Sequence, residues 1–118
     1  MKIDAMPKCA VETTLQLLGD KRKFLILKEL RNGTKRFGEL EKAIGCTSSK
    51  SLTKSLREMQ EDELVERCVF AEVPPRVEYS LTEIGEILLP VLEAMKTSGE
   101  AYRKWAERTC PQIDTSRN

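Results

Sequence analysis

The chain has 118 residues, of which 33% are charged and 40% are hydrophobic, and this size supports one small domain around a single core. It contains no histidine, which removes imidazole from every scheme of catalysis or metal binding. No apolar run approaches the roughly 20 residues that span a bilayer, and residues 1–7 lack the apolar stretch of a signal peptide. We therefore expect a soluble cytoplasmic protein that does not bind membranes and is not an enzyme.

The net charge of +1 conceals an uneven distribution of charge along the chain. Residues 19–57 hold eleven lysines and arginines against four acidic residues, a net charge of +7, whereas residues 58–118 have a net charge of −6. A basic half in an otherwise balanced protein is typical of a surface that binds a polyanion such as nucleic acid. Solvent-exposed helix faces rich in lysine would give the same imbalance, so charge alone leaves both interpretations open.

Four helices are predicted before residue 62, each from apolar residues at helical spacing. The apolar residues of the first three are Val11, Leu15 and Leu18, then Phe24, Leu27 and Leu30, then Phe37, Leu40 and Ile44. Asp20 is the expected N-cap of the second helix, and Gly19, Asn32-Gly33 and Gly45 are the expected ends of the three.

The fourth helix is predicted to have two distinct faces, and Thr47 or Ser48 can cap it. At about 100° per residue, its apolar side chains fall on the side opposite its basic ones. The apolar side chains are Leu52, Leu56 and Met59, and the basic ones are Lys50, Lys54 and Arg57. Short hydroxyl side chains flank the basic stripe at Ser49, Ser51, Thr53 and Ser55, which would let the backbone approach a partner closely.

After residue 60 the pattern changes to that of strands. Residues 65–70 and 77–81 are β-branched or alternating, and the intervening Pro74-Pro75 cannot pair in a ladder. We predict a two-stranded hairpin with a stiff, extended tip. Thr82 would cap a fifth helix that Pro90 kinks without ending, and a further helical segment should follow Gly99 to about residue 108. The fifth helix has a wide apolar stripe: Ile84, Ile87, Leu88, Val91, Leu92 and Met95.

This order of elements predicts a mainly α fold with a small two-stranded β wing, a winged helix-turn-helix, in one domain over residues 1–118. The fourth helix would enter the major groove of DNA, and the hairpin would reach the adjacent backbone or minor groove. The expected DNA contacts are Ser48, Ser49, Lys50, Ser51, Thr53, Lys54 and Arg57, with Lys35 and Arg36 before the third helix and Arg67 and Arg76 on the wing. Lys21, Arg22 and Lys23 face either DNA or water, and the sequence does not decide between the two.

Several segments resemble those of one known family. They include Cys9 with Val11-Glu12, Gly19-Asp20-Lys21, Leu25-Ile26-Leu27, Arg36-Phe37-Gly38-Glu39-Leu40, Leu52-Thr53, Leu56-Arg57-Glu58, Glu61-Asp62, Glu72 through Thr82, and Gly85. On these residues the chain resembles the HxlR-type transcriptional regulators, a branch of the MarR-like winged-helix proteins, from residue 9 to about 105. The sequence departs from the family at three places: the family usually has Trp where Arg22 stands, Gly where Glu63 stands, and Ile-Pro-Gly-Ile at residues 44–47.

The resemblance implies a homodimer that binds a roughly palindromic operator and usually represses a nearby gene. Its DNA-binding core would span about residues 20–81, and its dimerisation helices about residues 9–19 and 83–108. The apolar C-terminal helices support a dimer independently, because they exceed what a domain of this size can bury, although folding back onto the monomer core is the alternative. The expected dimer residues are Val11, Leu15, Leu88, Leu92, Met95, Tyr102 and Trp105.

The four cysteines, Cys9, Cys46, Cys68 and Cys110, stand too far apart for a zinc site or a Cys-x-x-Cys motif, so we expect free thiols and no metal or other cofactor. Cys46 and Cys68 are interpreted as structural. Cys9 matches a family position at which some members carry a sensing thiol, and Cys110 lies in a tail where some redox-responding relatives also have cysteine. The resemblance thus implies an oxidant or electrophile effector, such as a quinone, and a disulfide between Cys9 and Cys110 of two subunits that releases DNA. The alternative is that Cys9 is a small buried residue and Cys110 an idle thiol.

A second function class is an adaptor: a winged helix that binds protein through its apolar C-terminal helices and has no specific DNA binding. The basic stripe on the fourth helix favours DNA, since an adaptor has no need of it.

Overall fold

The computed structural model describes residues 3–45 and 48–109. Within these ranges the chain forms a short 3-10 helix at Ile3–Ala5, six α-helices and three strands. The α-helices, α1 to α6 in chain order, are Ala10–Leu17, Lys21–Leu30, Phe37–Ile44, Ser49–Glu61, Glu83–Glu86 and Leu89–Thr109. The strands, β1 to β3, are Lys35–Arg36, Val65–Phe70 and Arg76–Leu81. The predicted winged helix-turn-helix, mainly α with a small antiparallel sheet, is confirmed.

The boundaries of α2, α3 and α4 follow the predicted signals. The Asp20 carboxylate accepts the N–H of Lys23 at 3.0 Å, and the Ser48 hydroxyl accepts the N–H of Ser51 at 3.1 Å, so both residues satisfy a donor of the first turn. Gly45 ends α3 with φ of 77°, a conformation that side chains with a Cβ avoid.

The sheet has one more strand than predicted. Its order is β1-β3-β2, with both pairs antiparallel, and β1 pairs Lys35 with Tyr79 and Arg36 with Glu78. A two-residue strand is too short to show an alternating pattern, so β1 could not be predicted. The extra pairing attaches the start of α3 to the wing.

The C-terminal helices also differ from expectation. The prediction that Pro90 kinks one continuous helix is wrong: α5 ends at Glu86, and a new helix begins at Leu89. Proline lacks the N–H that a continuous helix would donate to Glu86, whereas in the first turn of α6 that N–H is not needed. Gly99, expected to separate two segments, lies inside α6, which continues to Thr109.

One core holds the helices against the sheet. Apolar side chains from the end of α1, from α2, α3 and α4, from the turn into β2 and its start, from β3 and from the turn before α6 meet there almost fully buried. They are Leu18, Ile26, Leu27, Leu30, Leu40, Leu52, Leu56, Met59, Leu64, Val65, Tyr79 and Leu88. The basic face of α4 is therefore fixed by burial of its opposite face.

The turn after α4 is bound to the start of α5. Glu63 has φ of 63°, and the N–H of Leu64 donates to the Met59 carbonyl at 2.9 Å, which closes the helix with a Schellman motif. Thr82 Oγ1 donates to the Glu63 carbonyl at 2.6 Å. Gly85 packs so closely that an added Cβ would lie 2.2 Å from the Leu64 carbonyl oxygen. The end of α4, which the sequence predicts to enter the major groove as a recognition helix, and the start of the C-terminal helices thus share one turn.

None of the helices in the described ranges is both long and apolar enough to cross a bilayer.

Candidate nucleic-acid interface

The helix α4 presents its basic residues to solvent, as its periodicity predicted. Three apolar side chains on one face are fully buried: Leu52, Leu56 and Met59. Lys50, Lys54 and Arg57 on the opposite face are exposed. Among the described residues, no acidic side chain lies within ion-pair distance of these three cations. Their charges are therefore available to an anionic partner.

Most of the hydroxyl groups near this stripe bond within the domain. Ser48 caps the helix and lies 3.0 Å from the Ser51 hydroxyl. The Ser49 hydroxyl donates to the Glu41 carboxylate of α3, and Thr53 Oγ1 donates to the Ser49 carbonyl at 2.7 Å. The Ser49 bond joins the two helices of the helix-turn-helix at the N-terminus of α4. These residues stay predicted DNA contacts, with part of their bonding capacity already used.

Arg67 of β2 lies beside the recognition helix. A groove of about 530 Å³ runs between α4 and the sheet, and Phe37 and Tyr79 contribute apolar side chains to its lining. Arg57 from α4 and Arg67 from the wing line the same groove. Because Arg67 is exposed and has no acidic partner among the described residues, it extends the basic stripe of α4 onto the wing.

Arg76, the other predicted wing contact, is held within the wing itself. Its Nη1 lies 2.9 Å from Glu72 Oε1 and its Nε lies 3.1 Å from Glu78 Oε2. The guanidinium carbon also lies 4.0 Å from the centroid of the Phe70 ring. Arg76 therefore differs from Arg67 in having two acidic partners and an aromatic one.

Lys35 and Arg36 lie on β1, directly before α3. Lys35 is half-buried and Arg36 is exposed. The backbone N–H of Arg36 donates to the Glu39 carboxylate at 2.9 Å, so α3 begins with a bond to its own first turn. Arg36 and residues 72–77 of the wing line a second groove, which places the charge of Arg36 between α3 and the wing.

The three cations at the start of α2 separate by environment. Lys21 is exposed and Arg22 is half-buried. Lys23 is only 7% exposed, and its ammonium group lies 3.7 Å from a Glu58 carboxylate oxygen of α4. Lys23 thus joins α2 to α4 and is not open to DNA, which settles for this residue what the sequence left undecided.

The family of the chain follows from comparison with known proteins. The profile of the HxlR-like helix-turn-helix family matches residues 17–109. The chain belongs to this family. Over 100 residues it is 45% identical to YdeP of Bacillus subtilis strain 168, an uncharacterised HTH-type transcriptional regulator, in a match that covers 85% of this chain and 78% of YdeP.

Solved structures agree with this assignment. The chain is similar to the redox regulator HypR in its reduced form, with a TM-score of 0.79 and 40% identity over 85% of this chain and 99% of that one. It is also similar to the reduced form of the transcriptional regulator YodB from B. subtilis, with a TM-score of 0.68 and 36% identity over 92% and 100% of the two chains. The chain is therefore a DNA-binding transcriptional regulator of the HxlR and MarR-like type.

In this HxlR-like regulator the predicted dimer residues are mostly exposed. Large apolar side chains of α1 and α6 are open to solvent: Val11, Leu15, Met95, Tyr102 and Trp105. Trp105 is 50% exposed, with its ring 5.5 Å from that of Tyr102. Leu92 is half-buried against the core. The prediction that Leu88 lies in the dimer interface is corrected, because Leu88 is 3% exposed within the monomer core and has little surface to offer a second subunit.

Two cysteines of the HxlR-like chain lie within the described residues, and both are exposed. Cys9 is exposed and occupies the N-cap position of α1, so the alternative that it is a small buried residue does not hold in the monomer. Cys68 is exposed on β2, whereas the sequence suggested a structural thiol. Cys46 and Cys110 lie outside the described residues, and the proposed partner of Cys9 is one of them.

Two contacts that orient the DNA-binding elements were missed from the sequence. Glu41 holds Ser49, eight residues away, and Arg31 at the end of α2 forms an ion pair with Glu93 of α6, 62 residues away. Both join different helices, and no spacing rule for a single helix reveals such pairs. The positive φ of Glu63, by contrast, could have been found from the sequence, because the family usually has glycine at this position.

Proposed function

We propose that the chain acts as a homodimer that binds a roughly palindromic operator and represses transcription of a nearby gene. The observation that supports this most directly is the exposed stripe of Lys50, Lys54 and Arg57 opposite the buried face of α4. A helix that offers such a face can lie in the major groove while its other face remains in the core. The exposed apolar side chains of α1 and α6 support a dimer, which would present two such helices to successive turns of the duplex.

The salt dependence of binding separates this function from the adaptor alternative. Lys50, Lys54, Arg57 and Arg67 are exposed cations without an acidic partner among the described residues. If all four met phosphates in both subunits, the logarithm of affinity would fall with the logarithm of salt concentration with a slope of roughly −7, at about 0.9 per contact. An adaptor would show a slope near zero.

The direct test reverses one charge in the stripe. Lys54→Glu should abolish operator binding and leave the fold and the dimer intact, because Lys54 is exposed. Lys28→Glu is the matched control: Lys28 is exposed on α2, outside the proposed interface, and its reversal changes the net charge equally. Gel-shift titrations of both variants should show loss for Lys54→Glu and near wild-type affinity for Lys28→Glu. Equal affinities would contradict the proposal.

We also propose that oxidation of Cys9 releases the operator. The exposure of Cys9 at the start of α1 supports this, as does similarity to HypR, a redox regulator known in reduced and oxidised forms. Two thiols would lose two protons and two electrons to an oxidant or electrophile such as a quinone and form one disulfide, with Cys110 of the other subunit as the expected partner.

Non-reducing gels of oxidant-treated protein test this second step. A crosslinked dimer should appear in the wild type and in Cys68→Ser, a control that removes the other thiol known to be exposed. The crosslink should be absent from Cys9→Ser and from Cys110→Ser. A Cys9→Ser variant that still lost DNA on oxidation would refute the role of Cys9. We propose no catalytic step in this function.

A further inference from the structure

We propose that Arg76 is a positioning residue of the wing, which orders the apolar residues 73–75 at its tip for DNA contact and does not itself bind phosphate. The inference rests on the proposed operator binding and concerns how the wing contributes to it. It replaces the direct DNA contact that the sequence suggested for Arg76.

The partners of Arg76 leave its guanidinium little capacity for a phosphate. One nitrogen lies 2.9 Å from Glu72 Oε1, another lies 3.1 Å from Glu78 Oε2, and the Phe70 ring covers one face at 4.0 Å. The side chain is only 26% exposed. Both carboxylates form ion pairs with Arg76, and its Nε is buried without a hydrogen-bond partner among the described residues, so a phosphate cannot reach that atom. Stacking on the Phe70 ring restricts the plane of the guanidinium.

The charge of this cluster also opposes an anion. One guanidinium and two carboxylates give the three side chains a net charge of −1, so a phosphate that approached Arg76 would meet two acidic groups at the same place. Arg67 has no acidic partner among the described residues. On one small wing, therefore, one arginine suits a polyanion and the other does not.

The position of Arg76 explains what it can order. Arg76 pairs with Phe70 in the last residue pair of the β2–β3 ladder, next to the tip. It also contacts Glu72, which lies two residues beyond the end of β2. The N–H of Glu72 donates to the Phe70 carbonyl at 2.9 Å, which starts the turn. Arg76 thus connects both ends of the tip, residues 71–75, to the ladder.

The tip held in this way presents no cation. Val73 is fully exposed, and the next two residues are prolines, so residues 73–75 offer only apolar surface. Some DNA-binding proteins insert apolar side chains, proline among them, between base steps in the minor groove. Such contact adds affinity without releasing counterions, so it should not depend on salt.

The first experiment needs no DNA. In hydrogen exchange of the full chain, Arg76→Gln should speed exchange of the Glu72 amide roughly tenfold relative to the wild type, because the tip opens more often. Arg67→Gln, the matched control on the same wing, should leave that amide unchanged. Unchanged exchange in Arg76→Gln would overturn the positioning role whether or not the protein binds DNA.

The second experiment measures affinity against salt, with a duplex selected by the wild-type chain from a random-sequence pool. Arg76→Gln should weaken binding roughly tenfold because fewer molecules hold a competent wing, and it should keep the wild-type slope because the number of phosphate contacts is unchanged. Arg67→Gln should reduce the slope by about 0.9 if Arg67 meets one phosphate. A slope reduced by about 0.9 in Arg76→Gln would overturn the inference, whereas a flat slope in the wild type would overturn the proposed function instead.

Two further variants separate a positioning role of Arg76 from a direct contact of its charge with phosphate. Glu72→Ala removes a negative charge near the DNA, so simple electrostatics predicts tighter binding. Because Glu72 holds Arg76, we expect weaker binding, in the direction of Arg76→Gln. Arg76→Lys keeps the positive charge but loses the planar guanidinium and its stacking on Phe70. We expect its affinity to be as low as that of Arg76→Gln. Tighter binding by Glu72→Ala, or full rescue by Arg76→Lys, would show that Arg76 acts through its charge on phosphate.

Discussion

Glu63 occupies a backbone conformation that suits glycine, so we expect glycine at this position to give a more stable protein than alanine. With φ of 63°, the residue lies in the left-handed region, directly after α4. A residue with a Cβ loses about 1–2 kcal/mol there relative to the right-handed form. Glycine avoids this strain but loses about 0.4–1 kcal/mol more entropy on folding than alanine does. The Glu63→Gly variant should therefore be more stable than Glu63→Ala by about 1 kcal/mol.

The alanine variant is the necessary reference, because Glu63 also has a charge. A carboxylate at the C-terminal end of a helix opposes the helix dipole, and its removal stabilises by about 0.3–1 kcal/mol at either substitution. Glu63→Ala removes that charge and keeps the Cβ, so the difference between the two variants isolates the backbone term. Glu100→Gly is a control in which glycine should lower the stability. Glu100 is exposed within α6, where glycine should reduce the free energy of unfolding by about 0.7 kcal/mol.

Urea denaturation measures these differences, with every variant at one protein concentration, since the proposed dimerisation would make stability depend on concentration. For a chain of this length, 1 kcal/mol corresponds to a shift of about 4 °C in the melting temperature. A Glu63→Gly variant no more stable than Glu63→Ala, with Glu100→Gly destabilised as expected, would refute the reasoning that this position is strained.

Other predictions concern the contacts that place the recognition helix and the dimer surface. Gly85→Ala should destabilise the fold by about 1–3 kcal/mol in the same assay, because its Cβ would lie 2.2 Å from a backbone oxygen that cannot move cheaply; an unchanged stability would contradict this. Ser48→Ala should lose about 1 kcal/mol, while Ser48→Asp should keep most of the cap and still weaken duplex binding, so equal stability of the two variants would count against the cap. Trp105→Glu should shift the protein toward monomer in sedimentation equilibrium, and Lys104→Glu, exposed beside it, is the control; a stable Trp105→Glu dimer would place the interface elsewhere.

Most of the fold was predictable because local signals and burial agree. The two faces of α4 follow from the angular separation of Lys54 and Leu56, and the structure has the first exposed and the second buried. What failed was set by partners outside the local pattern. The strand β1 exists because β3 is beside it, and the apolar stripe of residues 84–95 hid the break that Pro90 requires. A periodic stripe reports which residues face the core, and it does not report whether the backbone between them is continuous.

The candidate site was less predictable than the fold for a related physical reason. The net charge of +7 in residues 19–57 counts every cation equally, whereas binding depends on which cations lack an acidic neighbour. Lys23 is buried against Glu58, and Arg31 is paired with Glu93. These two cations connect helices within the domain. Because their charges are already paired, they are less available to neutralise phosphates of DNA. The charge of residues 19–57 therefore overstates the cations open to DNA, because it includes Lys23 and Arg31, whose charges are already paired within the domain.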